Sequence, residues 1–388
     1  MKREILAGLF ILGSLCTMAQ DAKKIHQKAI VIDTHGDILS DQISSGIDIG
    51  KRQSAGNFDL VRAREGGLDA QVFSIWCDER HGFKRAIREI DSLNSLIRRY
   101  PSKIALVTNA SQLRSAVKKG QMAAMIGVEG GHMIEGRMDY LDSLANRGMI
   151  YMTLTWNNST HWATSAADET SRKEQLKQKG LTGQGKEIIR RMNELGVMVD
   201  LSHVGEATFY DAIAASDKPV IASHSSAYKF NTHSRNLKDD QLRAIAKNGG
   251  VVFVNFYTGF LDSTYSRKQA DFLKRHAAEM ETLTKQYDSK YKAQAEIYNK
   301  YKSEVEDMRA PLSLLIDHID HMVKVMGEDH VGLGADYDGA ESYPKQLDDV
   351  TGYPVITAAL LERGYSAKTI NKILGENFIR VLKANKGR

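Results

Sequence analysis

"VIDTHGDIL", residues 31–39, is a β-branched run that ends in His35, with Asp37 two residues later. A buried strand is expected to leave the core at this point, and ordinary packing needs neither an imidazole nor a carboxylate there. Seven further apolar runs follow along the chain, and several of them also end in His, Glu or Asp. The fold and these polar endings therefore have to be explained together.

The eight apolar runs are short and rich in Val, Ile, Leu and Met, and amphipathic stretches such as "GKEIIRRMNELG" (185–196) lie between many of them. Buried strands that alternate with helices favour parallel βαβ units, and eight such units predict a closed (β/α)8 barrel, an α/β fold of the TIM type. The predicted strands are "AIVIDTH" (29–35), "LDAQVFSIW" (68–76), "MAAMIGVE" (122–129), "GMIYMTLTW" (148–156), "GVMVDLSH" (196–203), "PVIASH" (219–224), "GGVVFVNF" (249–256) and "HVGLGAD" (330–336).

Two segments fall outside this alternation. Residues 266–311, rich in Lys, Glu, Ala and Gln, predict a charged helical insertion between strands seven and eight, either a solvated excursion, a lid or an oligomer contact. Residues 1–19 have a basic start and an apolar stretch, which predicts a cleaved signal peptide. Leu15 makes Cys16 a poor lipid-anchor site, so we expect one exported domain over 20–388, periplasmic or extracellular.

Composition argues against several classes of protein. The net charge of +5 is small and spread along the chain, so no nucleic-acid partner is expected. No apolar run after the leader approaches the ~20 residues of a membrane-spanning helix. Cys77 is the one cysteine left after residue 19, which allows no internal disulfide and predicts a packed thiol.

The C-terminal ends of the strands form the active-site face of such a barrel. One histidine at a strand end is usually a satisfied structural residue, but three histidines and two acids at the same rim are hard to explain by packing. The residues at these ends are His35, Glu129, Trp156, His203, His224 and Asp336. Imidazole and carboxylate ligands suit zinc or a neighbouring first-row ion.

The predicted ligands are His35, Asp37, Glu129, His203 and His224. Five ligands are too many for one open catalytic zinc, which takes about three from the protein. Two zinc ions that share Glu129 fit better, one with His35 and Asp37 and the other with His203 and His224. Two ions ~3.5–4 Å apart can hold a bridging hydroxide and polarise a carbonyl, which predicts metal-assisted hydrolysis.

Several motifs in order carry a resemblance to a known family: "DTHGD", "GVEGGH", "VDLSH", "ASHSSA", "SRNL" and "GLGADYDG". From about Lys24 to the C-terminus the chain resembles the membrane (renal) dipeptidase family, binuclear zinc peptidases on a (β/α)8 barrel. The resemblance implies the same five zinc ligands, a dipeptide substrate and a homodimer. It also implies that Arg235 binds the substrate carboxylate, and that Asp336 handles protons and the substrate amine beside the catalytic Glu129.

One position departs from the family. Mammalian members have a substrate-contacting histidine after strand four, where this chain has Trp156 in "LTWNNSTHWA". An indole can donate one hydrogen bond but cannot carry a proton. Asn157, Asn158 or His161 could supply the missing donor from the same loop. The change therefore affects substrate preference and rate more than metal binding.

Other polar residues and two other functions remain open from sequence. Asp33 could orient a metal-binding side chain through a hydrogen bond. His132 could line the site or pack in the core, and Asp338 could shape its loop. A related binuclear-zinc hydrolase of another small amide or lactone is one alternative, favoured by Trp156. A non-catalytic peptide-binding protein is the other, and the complete ligand set argues against it.

Overall fold

The computed structural model of the protein describes residues 19–40, 46–77 and 82–387, so all but the last residue of the predicted signal peptide lies outside the described residues. Within these ranges nine strands form, and each is parallel to its neighbours. They are β1 (Ile32–Asp33), β2 (Ala70–Trp76), β3 (Ile104–Leu106), β4 (Met122–Glu129), β5 (Met149–Thr153), β6 (Met198–Asp200), β7 (Ile221–Ala222), β8 (Val251–Val254) and β9 (Val331–Leu333).

Eight of the strands pair in the order β1-β2-β4-β5-β6-β7-β8-β9. Backbone hydrogen bonds join the two ends of this row: Thr34 N–H donates to the Leu333 carbonyl (3.1 Å), and Asp336 N–H donates to the His35 carbonyl (3.1 Å). These strands are the eight expected from the apolar runs. The predicted (β/α)8 fold is confirmed.

Strand β3 was not predicted. It pairs only with the start of β4, with Ile104 opposite Met122. Its three residues are too few to show an alternation of apolar and polar side chains in the sequence. Their strand conformation is recognised from the pairing with β4. Strand β3 does not change the order of the eight strands whose C-terminal ends form the rim of the barrel.

Helices follow most of the strands, and residues 19–28 are helical before the first strand. The helices are α1 (Leu60–Glu65), α2 (Gly82–Arg99), α3 (Ala110–Lys118), α4 (Met138–Asn146), α5 (Ala166–Ser171), α6 (Gly183–Leu195), α7 (Glu206–Ala215), α8 (Asp239–Lys247), α9 (Thr258–Leu261), α10 (Tyr265–Arg275), α11 (Ala277–Tyr287), α12 (Lys290–Lys300), α13 (Lys302–Met308), α14 (Leu312–Met326), α15 (Tyr353–Glu362), α16 (Ala367–Asn371) and α17 (Asn377–Lys386). Across the described ranges, no helix has the length and apolar character needed to cross a membrane.

Helix α6 shows how local sequence sets these boundaries. The Thr182 side chain accepts a hydrogen bond from Gly185 N–H at its start, and Gly196 ends it in the left-handed region at φ 68°. The apolar residues Ile188, Ile189 and Met192 recur at helical spacing and are buried. The same pattern packs the outer helices on the barrel.

The insertion between β8 and β9 contains α10 to α13 and confirms the predicted charged helical segment. Its helices share a small apolar core of their own, which includes Tyr265, Phe272, Met280 and Ile297. This core explains how a segment rich in charge can still hold a defined shape.

The barrel seam is reinforced by the buried Asp33 side chain. Its Oδ1 accepts hydrogen bonds from His35 N–H (3.1 Å) and Ala335 N–H (2.9 Å), and its Oδ2 accepts one from the Tyr353 hydroxyl. Burial raises the pKa of Asp33 to about 6, against the opposing effect of these hydrogen bonds. Asp33 thus links the ends of β1 and β9 directly below the rim.

Asp33→Ala should destabilise the protein by about 2–4 kcal/mol, because it leaves two buried N–H groups without an acceptor. Tyr353→Phe removes only one donor from the same carboxylate and should cost about 1 kcal/mol. Urea unfolding of both variants at neutral pH checks whether Asp33→Ala is the less stable of the two. Equal stabilities would show that Asp33 does not hold the seam.

Candidate metal centre

The predicted ligands come together at the C-terminal ends of four strands. His35 and Asp37 follow β1, Glu129 is the last residue of β4, and His203 and His224 follow β6 and β7. Glu129 Oε2 lies 3.3 Å from His35 Nε2. Glu129 Oε1 lies 2.9 Å from His203 Nε2 and 3.5 Å from His224 Nε2. One carboxylate is therefore shared by imidazoles from three strand ends.

A hydrogen bond inside the barrel fixes the His35 ring. The Tyr151 hydroxyl donates its hydrogen to the Thr34 carbonyl (2.9 Å). Its oxygen, 2.9 Å from His35 Nδ1, can then only accept, so Nδ1 carries the ring hydrogen. The Nε2 lone pair consequently points toward Glu129, as a metal-binding imidazole requires.

The other two rings are fixed in the same way. The Ser223 hydroxyl donates to Asp200 (2.6 Å), so its oxygen accepts from His224 Nδ1 (2.8 Å). His203 Nδ1 donates to the amide oxygen of Asn157 (3.1 Å). Both rings therefore also turn an Nε2 lone pair toward the shared carboxylate.

These atoms fit a metal better than they fit one another. His203 Nε2 and His224 Nε2 are 2.9 Å apart, and neither has a hydrogen to donate once Nδ1 carries it. Two nitrogen lone pairs at this distance repel unless they share a cation. His35 Nε2 and Asp37 Oδ1 are buried and have no hydrogen-bond partner among the described residues. Nitrogen and carboxylate donors in this arrangement suit a first-row divalent ion.

Asp336 contributes a further carboxylate to the cluster. His35 Nε2 lies 4.0 Å from Asp37 Oδ2 and 3.9 Å from Asp336 Oδ1. Gly339 leaves the space between these acids open, since a Cβ there would lie 2.1 Å from Asp37 Oδ2 and 2.4 Å from Asp336 Oδ1. The ligand atoms of His35, Asp37 and Asp336 form one group that could hold a metal, and those of His35, Glu129 and His224 form another.

The pKa values of the three imidazoles shift in opposite directions. Burial lowers the pKa of His203 to about 3 and holds the pKa of His224 well below its usual range. At His35 burial acts in the same direction, but the Glu129 carboxylate, with Asp37 and Asp336, outweighs it and raises the pKa to about 10. The site therefore favours positive charge at His35 Nε2, which a divalent cation also provides.

A cavity of about 370 Å³ opens over this cluster. Aromatic side chains form much of its wall: Trp76, Trp156, Tyr257 and Phe260. Its size suits a small organic substrate. A larger cavity, of about 630 Å³, lies near the opposite ends of the strands around Leu68, Asp69 and Met122, and none of the metal-ligand candidates lines it.

Arg235 lines the same cavity and is only 6% exposed. Its guanidinium lies 3.4 Å from both Ser225 Oγ and the His224 carbonyl, and its Nε has no hydrogen-bond partner among the described residues. Burial lowers the Arg235 pKa to about 10, which still leaves the group charged at neutral pH. A buried cation with unused donors can bind a carboxylate in the cavity.

The residues predicted to contact substrate from the loop after β5 do not all lie at the cavity. Trp156 and Asn157 line the cavity, but His161 does not. His161 is exposed, and its Nε2 lies 3.0 Å from Gln184 Oε1. The loop turns away from the site after Asn157, because Ser159 N–H donates to Asp168 (2.8 Å). Spacing along a loop could not reveal this turn.

His132 and Asp338 take supporting positions. His132 Nε2 lies 3.0 Å from the side-chain amide of Asn158, and His132 does not line the cavity. Asp338 lines the cavity, and its Oδ1 accepts from Asn57 N–H (2.6 Å), which secures the loop after β9.

Sequence reasoning missed the residues that orient the imidazoles, above all Tyr151, Asp200 and Ser223. Their one signal was a polar group inside or beside an otherwise apolar strand, as in "MIYMT" and "VMVD". It also missed Tyr257 and Phe260, which carry no pattern that separates a cavity wall from a core.

Tyr151→Phe should weaken metal binding about 10–100-fold, because His35 Nδ1 loses the acceptor that fixes its ring. Competition with a chromophoric chelator measures the affinity, and circular dichroism verifies the fold. Tyr140→Phe, on the outer helix α4, is the matched control and should bind metal like the parent. Unchanged affinity in Tyr151→Phe would mean that the hydroxyl does not set the ring.

Comparison with known proteins agrees with this geometry. The model of the membrane dipeptidase family (peptidase family M19) matches residues 19–387. The structure is similar to the probable dipeptidase PvdM from Pseudomonas aeruginosa (TM-score 0.77, 23% identity, 95% of this chain and 98% of that one). It is also similar to a metallopeptidase named dipeptidase AC (TM-score 0.75, 25% identity, 93% and 99%).

A third similar structure is a metallopeptidase from Rhodobacter sphaeroides liganded with a phosphinate mimic of the dipeptide L-Ala-D-Ala (TM-score 0.74, 24% identity, 92% of this chain and 100% of that one). Together with the family match over nearly the whole length, the barrel and the cluster at its rim place the protein among metallopeptidases. The chain belongs to the membrane dipeptidase family, peptidase family M19.

Proposed function

We propose that the protein is a zinc dipeptidase that hydrolyses the peptide bond of small dipeptides with two zinc ions. One observation carries this proposal: three imidazoles turn Nε2 to the Glu129 carboxylate, and Glu129 lines the same small cavity as a buried arginine with an unused Nε donor. Metal ligands and a carboxylate anchor in one cavity fit a short peptide with a free C-terminus. The predicted signal peptide supports action after export.

The ligand atoms would divide between two ions. His35 and Asp37 would hold one, His203 and His224 would hold the other, and the Glu129 carboxylate would serve both. When bound, the pair supplies Lewis-acid activation of a water molecule and of the scissile carbonyl. Glu129 is suited to the shared position, since its two oxygens face different imidazoles.

Arg235 would bind the C-terminal carboxylate of the dipeptide. The guanidinium offers N–H groups in a planar fork that matches a carboxylate, and it lies 5.3 Å from the Phe260 ring, which shields it from water. Because the guanidinium also lies 3.4 Å from the His224 carbonyl, a carboxylate bound there lies beside the cluster, and this position determines which peptide bond reaches the reacting centre.

Asp336 would move the proton. Its Oδ2 accepts a hydrogen bond from Asn255 Nδ2 (2.9 Å), and its Oδ1 faces the His35 side of the cluster. Oδ1 can take a proton from the attacking water and pass it to the amine nitrogen as the carbon–nitrogen bond breaks. Asn255 holds the carboxyl group in the orientation that this transfer needs.

We expect the purified protein to contain about two zinc per chain and to cleave neutral dipeptides such as Ala-Ala, because the site offers ligands for both ions. Elemental analysis and product detection on one sample, with a chelated and a zinc-restored aliquot beside it, make the measurement. Two zinc without cleavage of any dipeptide would redirect the function to another small amide or lactone. A protein that binds no metal would contradict the proposal.

Arg235→Ala should raise KM for dipeptides about 100-fold and leave the zinc content unchanged, since it removes a charge-assisted bond to the carboxylate. Arg235→Lys should recover part of the loss. Steady-state kinetics on Ala-Ala and on its C-terminal amide shows whether Arg235 acts on the substrate carboxylate or on substrate binding in general. If the amide and the free acid respond equally to the substitution, Arg235 does not bind the carboxylate.

A further inference from the structure

The helical insertion reaches the rim of the cavity through Glu341. Glu341 lines the cavity over the metal cluster. Its Oε1 accepts hydrogen bonds from the Tyr257 hydroxyl (2.7 Å) and from Gln269 Nε2 (2.8 Å). Gln269 lies on α10 and is 2.8 Å from the Tyr298 hydroxyl on α12. Two helices of the insertion therefore help to fix this carboxylate in place.

Glu341 also borders a second cavity, of about 350 Å³, lined by residues of the insertion. The methylene and apolar groups of Leu273, Ala295 and Tyr298 contribute to its wall. The same carboxylate thus borders both the cavity over the metal cluster and this side cavity. A long side chain of a substrate bound in the first cavity could reach it.

Glu341 and Arg235 lie at opposite ends of one wall. The Arg235 guanidinium is 5.3 Å from the Phe260 ring, and the Phe260 ring is 4.9 Å from the Tyr257 ring. The Tyr257 hydroxyl then donates to Glu341. If Arg235 holds the C-terminal carboxylate, the end at Glu341 faces the first residue of the dipeptide.

Glu341 Oε2 remains available to a ligand, with no hydrogen-bond partner among the described residues. The donors on Oε1 hold the negative charge in one position, which reduces the entropy cost of pairing with a mobile cation. Aliphatic surface beyond the carboxylate suits the stem of a lysine or arginine side chain, whose charged end needs an acidic partner.

We propose that Glu341 is a specificity-determining residue that favours dipeptides with a cationic side chain on the first residue. This inference rests on the proposed dipeptidase activity and names its substrate class. The insertion contributes by holding Glu341 through Gln269 and by forming the side cavity. The α-amino group of the substrate is a separate cation, for which Asp336 would be the acidic partner.

The test compares Lys-Ala with norleucyl-Ala, which has a side chain of similar length without the charge, and with Ala-Ala. The second residue is supplied in both L and D configuration. Values of kcat/KM are measured for the zinc-loaded parent, for Glu341→Gln and for Glu279→Gln. Glu279 is a matched control, because it pairs with Lys300 (2.6 Å) inside the insertion and lines neither cavity.

In the parent and in Glu279→Gln, Lys-Ala should be favoured over norleucyl-Ala. Glu341→Gln should reduce that ratio about fivefold and leave norleucyl-Ala and Ala-Ala within about twofold, because only the charge pairing is lost. The preference in the parent should also weaken as salt is raised.

An unchanged ratio in Glu341→Gln, or an equal loss on all three substrates, would overturn the inference and show that Glu341 only anchors the insertion. In that case chelator-sensitive cleavage of Ala-Ala would still support the proposed function. Absence of cleavage of every dipeptide by the zinc-loaded parent would instead overturn both.

Discussion

The site depends on the contacts between the buried Glu129 carboxylate and three imidazoles. Glu129 is 4% exposed, and imidazoles from three strand ends lie within 3.5 Å of its oxygens. A carboxylate this far from water is costly unless positive charge or hydrogen-bond donors compensate it. The closed barrel satisfies this requirement, because parallel strands deliver all of their C-terminal ends to the same rim. The rim therefore brings together candidate ligands that are up to 189 residues apart in the chain, from His35 to His224.

The candidate ligands must be oriented as well as brought together, and residues of the barrel strands, of their ends and of the loop after β5 orient them. Tyr151 fixes one ring, Ser223 with Asp200 fixes a second, and Asn157 fixes the third. The backbone contributes as well, since His203 and Asp336 have φ values of 66° and 64°, a region that residues other than glycine seldom adopt. Strain of this kind persists where surrounding contacts over-determine the conformation, and it is common at functional sites.

The sequence revealed the strands and their polar endings, because both are local patterns. The eight apolar runs predicted the barrel, and the motifs at their ends predicted the residues that the structure brings together. Local patterns failed where a neighbour distant in sequence decides the outcome. Strand β3 is extended only because it pairs with β4, and His161 leaves the site only because its loop is tied to Asp168. The link from the insertion to Glu341 depends on a hydrogen bond across 72 residues, which no spacing rule reports.

Trp156 shows why ligand positions and cavity walls can vary separately. Its ring lies 5.0 Å from that of Trp76 and 6.4 Å from that of His203, so it joins an aromatic wall without entering the ligand cluster. A histidine at this position could exchange a proton with the substrate, whereas an indole can only donate a hydrogen bond. In the proposed function, proton transfer rests on Asp336, whose carboxylate accepts a hydrogen bond from Asn255. The loop after β5 supplies one hydrogen bond that orients a candidate ligand, from His203 Nδ1 to Asn157, so position 156 can differ without a change in the candidate ligand set.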